Sequence, residues 1–399
     1  MKKFKKIKKG TITSPAGFSA DGIYAGLKSS GEDKLDLGIL VSSEPCEWAA
    51  TYTDNKIKSS SIDYCKEVKG KIKGIIVNSG SANCCVGDQG LIDSRDISLK
   101  CKEIFNSSVP FLMSSTGVIG VEIPVGLIMN SIEKFNIYSE GGEKFSRAII
   151  TTDSKTKNIA IEVNSKKGNY KIGGVAKGSG MVHPKMGTML SFITTDVDIN
   201  SDNLTTMLRK SVTNSFNQID IDGDTSTNDT VVIMSNGMSR ISLDSKEELN
   251  DFQEALDYLT KYLAKQIAED GEGISHLITV EVNGAKNDKD ALSVSNEVVS
   301  SSLVKTAIFG KDPNWGRIMM AIGNADAEIE RDKIKIFVNG IQISESGKSI
   351  SFHYQSVLSA LDNFQIDIVI DLCIGKGRGM AWGSDLTEEY VVFNSAYTT

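Results

Sequence analysis

The sequence predicts an α+β fold, and three observations support this class. Short apolar runs rich in β-branched residues, typical of strands, are interspersed with apolar patterns of helical period. The two kinds of segment do not alternate strictly, as they would in a doubly wound sheet, so layers of sheet and helix are favoured. Apolar residues make up 40% of the 399 residues and charged residues 24%, which is typical of a globular protein with a substantial core.

Local patterns predict individual elements along the chain. Ser245 and Glu248 have the spacing of a capping box, and a helical apolar face follows them. Residues 300–309 predict a second helix, whereas EEYVVF (388–393) reads as a strand. Asn339-Gly340, within the predicted strand run 333–343, indicates a hairpin turn. The predicted strands span 36–43, 73–79, 230–236, 333–343 and 366–372.

Composition excludes several classes of protein. The net charge of −7 argues against a nucleic-acid or anionic-membrane surface, and no apolar stretch is long enough to span a bilayer. The basic start MKKFKKIKKG lacks the apolar region of a signal peptide and predicts a solvated, frayed tail. Six cysteines without a C-x-x-C pair are interpreted as reduced thiols of a cytoplasmic protein, and three dispersed histidines predict no metal site.

Three stretches that are rich in glycine or aspartate have some features of known binding motifs. QIDIDGDTSTNDT (218–230) departs from a calcium loop because Thr225 and Val231 replace its glycine and glutamate, so an Asx turn before a strand is favoured. GKGRGMAWGSD (375–385) matches neither a dinucleotide nor a P-loop template, which leaves a glycine-rich turn that permits close backbone approach. SSTGVIG (114–120) predicts a turn whose N–H groups could hold an oxyanion.

The stretch HPKMGTMLSF (183–192) places a Gly-Thr bond at the start of an apolar run. A threonine becomes a nucleophile when its own free α-amine acts as base, and cleavage after Gly187 would give Thr188 that amine. Gly187 suits such a cut because, without a Cβ, it can adopt a strained conformation and leave its carbonyl open to attack. The alternative is that Thr188 is an ordinary β-branched strand residue.

The surrounding segment KGSGMVHPKMGTMLSFITTD (177–196) resembles the self-cleaving segment of the ornithine acetyltransferase (glutamate N-acetyltransferase) family of arginine biosynthesis. The resemblance extends in order along nearly the whole chain. The other matching blocks are TSPAGFSADGIYAGLK (13–28), IVNSGSANCCVGDQG (76–90), SSTGVIG (114–120), ITTDSKTK (150–157), DGDTSTNDT (222–230), EDGEG (269–273), SSLVKTAIFGKDPNWGRI (301–318), AWGSDLT (381–387) and FNSAYTT (393–399).

The resemblance implies roles for individual residues. Cleavage between Gly187 and Thr188 would give an alpha chain, 1–187, and a beta chain, 188–399, that starts with the nucleophile. Thr116 and Gly117 match the pair that stabilises the oxyanion, which agrees with their hydrogen-bond donors. The substrate-binding positions correspond to Thr151 (preferred to Thr152), Lys177, Thr188, Glu272, Asn394 and Thr399. Without the resemblance, Lys177 and Glu272 would be interpreted as surface charges and the C-terminus as a frayed tail.

The implied reaction transfers an acetyl group from N-acetylornithine to glutamate through an acetyl-threonine, with acetyl-CoA as an alternative donor and no cofactor. The implied fold is a layered sandwich of two central β-sheets flanked by helices, self-cleaved into two intertwined chains. Two alpha and two beta chains would form a heterotetramer. His276 departs from the family, which usually has lysine there, and leaves the charge of the pocket open. The rival interpretations are a self-processing aminopeptidase or amidase and an inactive binding protein.

Overall fold

Two β-sheets flanked by α-helices form the fold, which we describe from a computed structural model for residues 3–28, 34–183 and 189–396. This architecture agrees with the predicted α+β class. The strands are β1 Phe4–Lys6, β2 Phe18–Ile23, β3 Leu37–Tyr52, β4 Ile72–Ser81, β5 Phe111–Val118, β6 Lys157–Ser165, β7 Gly168–Lys177, β8 Leu190–Thr195, β9 Ile219–Asp220, β10 Thr230–Ser235, β11 Leu277–Ala285, β12 Lys335–Val338, β13 Ile341–Glu345, β14 Lys348–Ser349, β15 Gln365–Asp371 and β16 Gly377–Ser384. The helices are α1 Ser60–Glu67, α2 Gln89–Ile104, α3 Val125–Ile132, α4 Gly142–Ile149, α5 Ser201–Thr213, α6 Lys246–Ala268, α7 Asp288–Ser300, α8 Ser302–Phe309, α9 Trp315–Asn324, α10 Tyr354–Ala360 and α11 Glu388–Ala396.

The large sheet has nine strands, in the order β1-β6-β7-β8-β10-β3-β4-β5, with β2 paired to β3. Its central strands β8 and β10 are parallel to each other, and each is antiparallel to its outer neighbour, β7 or β3. Every residue of β8 and β10 is buried, as expected for strands covered on both faces. The large sheet therefore has its most buried strands directly after the predicted cleavage site and directly after the 218–230 motif.

The small sheet has seven strands, in the order β14-β13-β12-β15-β11-β16-β9. Helix α7 packs against β11 and β16, while α6 contacts strands of both sheets. The fully buried apolar residues of α6, among them Phe252, Leu256, Leu259 and Leu263, belong to a core shared with Leu277 and Trp382 of the small sheet. Helix α6 thus joins the two sheets into one packed unit.

Several predictions from local pattern are confirmed. All five predicted strands are present, and Asn339 and Gly340 both have positive φ angles (46° and 80°) in the turn between β12 and β13. Ser245 caps α6 by accepting a hydrogen bond from the Glu248 backbone N–H, and the reciprocal half of the capping box is also formed. The predicted helix at 300–309 corresponds to α8 and the end of α7.

The prediction of a strand at 388–393 is wrong, because these residues lie in α11. The Thr387 hydroxyl oxygen accepts a hydrogen bond from the Tyr390 N–H at 3.1 Å, and Glu388 and Glu389 lie in the first turn. Both features stabilise a helix N-terminus, and they outweigh the β-propensity of the Val-Val-Phe run.

Two further predictions need correction. The N-terminal basic segment is not simply a frayed tail, since Phe4–Lys6 pair with β6 and Lys3 forms an ion pair with Asp251. The 375–385 stretch is mainly strand β16 instead of a turn, although close backbone approach is confirmed: a Cβ at Gly379 would lie 2.5 Å from the backbone of Ala291 in α7.

All six cysteines are free in the structure. Among the described residues, no helix has both the length and the apolarity that crossing a bilayer requires.

Candidate active site

A cavity of about 390 Å³ brings together stretches that are far apart in the sequence. The ends of β5 and β7, the loop before β6, the 222–228 segment, the residue stretch after α6, and α11 all contribute to its wall. The predicted site residues among those that line it are Thr116, Gly117, Thr151, Thr152, Lys177, Glu272 and Asn394. Every predicted site residue that the structure describes therefore lies at this one cavity.

Thr116 and Gly117 lie at the end of β5, so the turn predicted for SSTGVIG is wrong over most of its length. Gly117 has a φ angle of +131°, and a Cβ there would lie 2.6 Å from the Gly80 carbonyl oxygen. Only glycine fits this position without strain. The Asn228 amide donates to the Ser115 carbonyl at 2.7 Å and so ties the strand end to the 222–228 segment. This hydrogen bond helps to fix the position of the predicted oxyanion pair.

Lys177 is the last residue of β7 and is only 2% exposed, so the interpretation as a solvated surface charge is wrong. Its ammonium group donates to the Thr151 hydroxyl at 3.1 Å, whereas the Thr152 hydroxyl is hydrogen-bonded to that of Ser179 at 2.6 Å. Burial lowers the pKa of Lys177, and the nearby Asp153 carboxylate opposes this effect. A buried cation facing a cavity is suited to binding a carboxylate.

A buried ion-pair network lies beneath Lys177. Lys157 bridges Asp153 and Asp270, at 2.5 Å and 2.6 Å, with its side chain entirely shielded from solvent. Asp153 also accepts hydrogen bonds from the N–H groups of Thr151 and Gly178. Burial raises the pKa of Asp153, but Lys157, Lys177 and the Gly178 N–H together lower it to about 2. The network fixes the loop that carries Thr151.

Glu272 follows α6 and is also buried, at 8% exposure, so a solvated surface charge is wrong for this residue as well. Its backbone N–H donates to the Ser179 carbonyl at 2.9 Å, and its carboxylate accepts a hydrogen bond from the Asn394 amide at 3.0 Å. A Cβ at Gly180 would lie 2.5 Å from the Glu272 carboxyl carbon, so glycine leaves room for the carboxylate. The cavity therefore has an anionic group besides the cationic Lys177.

Asp222 anchors the segment that precedes β10. Its carboxylate accepts hydrogen bonds from the N–H groups of Met181 (2.5 Å) and Val182 (2.8 Å) and from the Tyr390 hydroxyl (3.2 Å). Burial raises the pKa of Asp222 to about 6. Asp222 also accepts from the Asp224 N–H at 3.3 Å, in agreement with the predicted Asx turn. No group of acidic, histidine or cysteine side chains in the described ranges could hold a metal ion.

Gly187, Thr188 and Thr399 lie outside the described residues. After residue 188, the described chain resumes at Met189, whose N–H donates to the buried Asp229 carboxylate at 2.8 Å. The next residue, Leu190, is paired with Lys177 across the β7–β8 ladder. The chain thus emerges from the predicted cleavage site beside the cavity residue Lys177.

His276 is not one of the described residues that line the cavity. It is buried at 7% exposure, and its ring nitrogen Nδ1 is 2.8 Å from the Asp385 carboxylate, which also accepts the His276 N–H at 3.0 Å. Histidine at position 276, where the family usually has lysine, therefore does not directly change the charge of the cavity wall.

Several polar residues that line the cavity were not predicted from the sequence, among them Asn55, Asp222, Asn228 and Tyr390. Asp222 and Asn228 lie in the motif that was interpreted only as a turn, and Tyr390 lies in the segment mistaken for a strand. Asn55 lies just after strand β3, beyond the strand predicted for 36–43, and carries no local signal of a function.

Comparison with known proteins identifies the family. A family model described as the ArgJ family matches residues 19–399. The chain belongs to the ArgJ family. The family assignment from the sequence blocks is therefore confirmed.

Two relatives of this ArgJ-family chain, from Streptococcus thermophilus and Oceanobacillus iheyensis, are each named arginine biosynthesis bifunctional protein ArgJ. The first is 42% identical over 400 residues, covering 99% of this chain and 100% of the relative. The second is 41% identical over 405 residues, covering 100% and 99%. A crystal structure of the ArgJ protein from Bacillus halodurans is 43% identical with a TM-score of 0.51, over 53% of this chain and all of that chain.

Proposed function

We propose that this cavity transfers an acetyl group from N-acetylornithine to glutamate. As an ArgJ-family enzyme, the chain is an acyltransferase of arginine biosynthesis, acting as ornithine acetyltransferase and glutamate N-acetyltransferase. The observation that carries the proposal is the convergence of Thr116, Gly117, Lys177, Glu272 and Asn394 on one cavity. They come from four distant stretches, and together they offer oxyanion donors, a cation and an anion.

The proposed nucleophile is Thr188, set free by self-cleavage after Gly187. The threonine hydroxyl attacks the Gly187 carbonyl, the peptide nitrogen becomes the new α-amine, and water hydrolyses the resulting ester. Two fragments, 1–187 and 188–399, remain. The hydrogen bond from Met189 to Asp229 and the pairing of Leu190 with Lys177 support a nucleophile at this cavity.

The length of a related chain also supports the cleavage. The Bacillus halodurans chain is matched over its full length by 53% of the present 399 residues, which is about 211 residues. The proposed beta fragment, 188–399, would contain 212 residues.

The acetyl transfer then takes two steps. The Thr188 hydroxyl adds to the acetyl carbonyl of N-acetylornithine while the α-amine takes its proton, and Thr116 with the Gly117 N–H stabilises the negative oxygen. The ornithine nitrogen leaves with that proton, and an acetyl ester of Thr188 remains. The amine of glutamate attacks the ester, which restores the threonine hydroxyl and releases N-acetylglutamate.

The charges of the cavity fit these substrates. Lys177 would bind the α-carboxylate that both amino acids share, and Glu272 would bind an ammonium group. Thr151, Asn394 and Thr399 would contribute hydrogen bonds. The reaction needs no cofactor, because the nucleophile and its base belong to one residue. Acetyl-CoA is the proposed alternative donor. The proposed assembly contains two copies of each fragment and is located in the cytoplasm.

Intact mass under denaturing conditions tests the cleavage. Wild-type protein should give two fragments of 187 and 212 residues, and Thr188→Ala one chain of 399 residues. A wild-type chain that stays whole after folding and incubation would exclude the α-amine base and favour an inactive binding protein.

An acetyl-transfer assay tests the chemistry. Thr116→Val keeps the volume of the side chain but removes its hydroxyl, and we expect kcat to fall by roughly 10²–10³. The assay with N-acetylornithine should release ornithine rapidly only when glutamate is present. Equal release without glutamate would indicate the rival hydrolase.

A further inference from the structure

A second cleft, of about 480 Å³, lies next to the active-site cavity. It is bounded by the end of β3, the 53–58 segment, the last turn of α1 and the C-terminal part of α5. Thr53 lines this cleft and donates to the Ser226 carbonyl at 2.7 Å, while Ser226 and Asn55 line the active-site cavity. The 53–55 segment is therefore a wall between the two.

The lining of the second cleft is strongly basic. Lys58, Lys66 and Arg209 contribute to its wall, against Asp54 as the acidic residue there. None of the three basic groups forms an ion pair with another residue in the described part of the chain. Glu67, which follows Lys66, is already bound by Arg95 at 2.7 Å. In a protein of net charge −7, such a group of uncompensated cations is unusual.

Two of the cations lie close to each other. Burial lowers the pKa of Lys66, and the neighbouring Lys58 ammonium lowers it further, while Asp63 only partly opposes this. Lys66 is also held over the Tyr52 ring, 5.6 Å from its centroid. Like charges held side by side are unfavourable unless an anion lies between them.

The cleft also contains polar atoms without partners. The Thr51 hydroxyl and the Asn217 side-chain oxygen are buried and make no hydrogen bond to the described residues. A hydroxyl donates readily to a phosphate oxygen, and buried polar atoms normally have a partner. A bound anion would supply the partner that the Thr51 hydroxyl lacks.

A purely structural role could account for part of this cluster. Lys66 lies in the last turn of α1, and Arg209 lies in the C-terminal half of α5, where a cation interacts favourably with the helix dipole. This role does not explain Lys58, which precedes α1 and lies beside Lys66. If these residues serve only to stabilise helix ends, added anions should not bind them. An experiment with added anions therefore distinguishes this role from an anion-binding site.

We propose that this cleft binds a small organic phosphate or diphosphate through Lys58, Lys66 and Arg209. Two sources share this chemistry: the phosphate-bearing end of a donor whose acyl group reaches the adjacent cavity, or a free phosphorylated effector. In the second case, binding would act on the cavity through the shared 53–55 segment.

Binding of inorganic pyrophosphate and of ADP to the purified full-length protein tests the site. Calorimetry at low ionic strength should give saturable binding that weakens as salt is added. Lys66→Gln and Arg209→Gln should each weaken binding roughly tenfold, because each removes a charge-assisted hydrogen bond. Lys166→Gln, an exposed lysine elsewhere on the surface, is the matched control and should leave binding unchanged.

Three results would overturn the proposal: no saturable binding, binding equal in wild type and both variants, or equal loss in the control. Lys58→Gln provides an independent variant outside the helices if either of the others fails to fold. Because calorimetry needs no turnover, this result does not depend on the proposed acetyl transfer.

Steady-state kinetics identify the source of the phosphate. If it belongs to a donor, Lys66→Gln should raise the KM for acetyl-CoA several-fold and leave the KM for N-acetylornithine unchanged. If it belongs to a free effector, added pyrophosphate should change the rate with N-acetylornithine in wild type but not in Lys66→Gln. Absence of both effects, despite binding, would restrict the site to an adventitious ion.

Discussion

At the scale of single residues, two buried carboxyl groups near the cavity have opposite electrostatic environments. Asp153 is compensated by Lys157, and its pKa is lowered to about 2 although burial alone would raise it. Asp229 has no ion pair with a described residue, and burial raises its pKa well above the ordinary value. One oxygen of Asp229 accepts the Met189 N–H, whereas the other has no partner among the described residues. Stability should therefore depend on pH differently through each group.

For Asp229→Asn we predict a gain in stability relative to wild type that grows as pH rises from about 4 to 7. The native state holds the proton of Asp229 more tightly than the unfolded state does, so wild type loses stability as pH rises towards the native pKa. Asparagine retains an oxygen for the Met189 N–H and does not titrate. Urea unfolding of both proteins in the Thr188→Ala background measures the difference, and a difference independent of pH would contradict the prediction.

For Lys157→Met we predict a loss of about 3–5 kcal/mol in the free energy of unfolding, because Asp153 and Asp270 would keep buried charges without their partner. Lys166→Met is the control, since Lys166 pairs with Glu247 on the exposed surface and its loss should have no measurable effect. Denaturant titration at neutral pH compares the two. Equal stability of both variants would show that the buried network contributes nothing.

At the scale of elements, the glycines of strand β16 predict a turn when read locally. In the structure they instead allow neighbouring elements to pack closely against the strand. Gly377, Gly379 and Gly383 alternate along the strand, and a Cβ on each would approach neighbouring backbone within 2.6 Å or closer. At Gly379 that backbone belongs to α7, so the absence of side chains lets a helix lie directly on the sheet. The glycines serve contact between elements and not chain reversal.

Gly379→Ala should therefore cost about 1–3 kcal/mol of stability, since its methyl group would push α7 from the sheet. Gly323→Ala in α9 is the matched control, because a Cβ there meets nothing within 4 Å. A helical alanine in open space should raise stability by up to about 0.5–1 kcal/mol. Thermal unfolding of the two variants should thus shift in opposite directions, and shifts of the same sign would refute this account of β16.

At the scale of the whole molecule, the two proposed fragments would share one sheet. Strands β8 and β10 belong to 188–399, yet each pairs on its outer side with a strand of 1–187, β7 or β3. Phe192 of β8 packs edge-on against Phe145 of the other fragment, with ring centroids 5.7 Å apart. Separation would expose two fully buried central strands, which is strongly unfavourable.

We accordingly predict that the cleaved protein stays together under native conditions. Size exclusion followed by denaturing electrophoresis should find both fragments in one peak, and native mass spectrometry should give a multiple of 43.1 kDa, twice that value for the proposed heterotetramer. Denaturant should be needed to separate the fragments. Their separation in native buffer would contradict the interleaved sheet.

The sequence alone predicted the α+β class, five strands, the α6 capping box and the family, because each depends on local pattern or on long unusual blocks. It also supplied the residues Thr116, Gly117, Lys177, Glu272 and Asn394, but through resemblance to a family. The roles of Thr188 and Thr399 stay predictions of that kind.

Tertiary structure alone decided which side chains meet. Asn228 holds a strand end 113 residues away in sequence, Tyr390 reaches Asp222 across 168 residues, and Lys177 is buried only because other elements cover it. No local pattern contains such information, since burial and hydrogen bonding depend on partners that the folded chain brings together. For the same reason, local pattern predicted the wrong structure for α11 and β16. The helix α11 is explained by the cap at its N-terminus, and the strand β16 by the helix α7 that packs on its glycines.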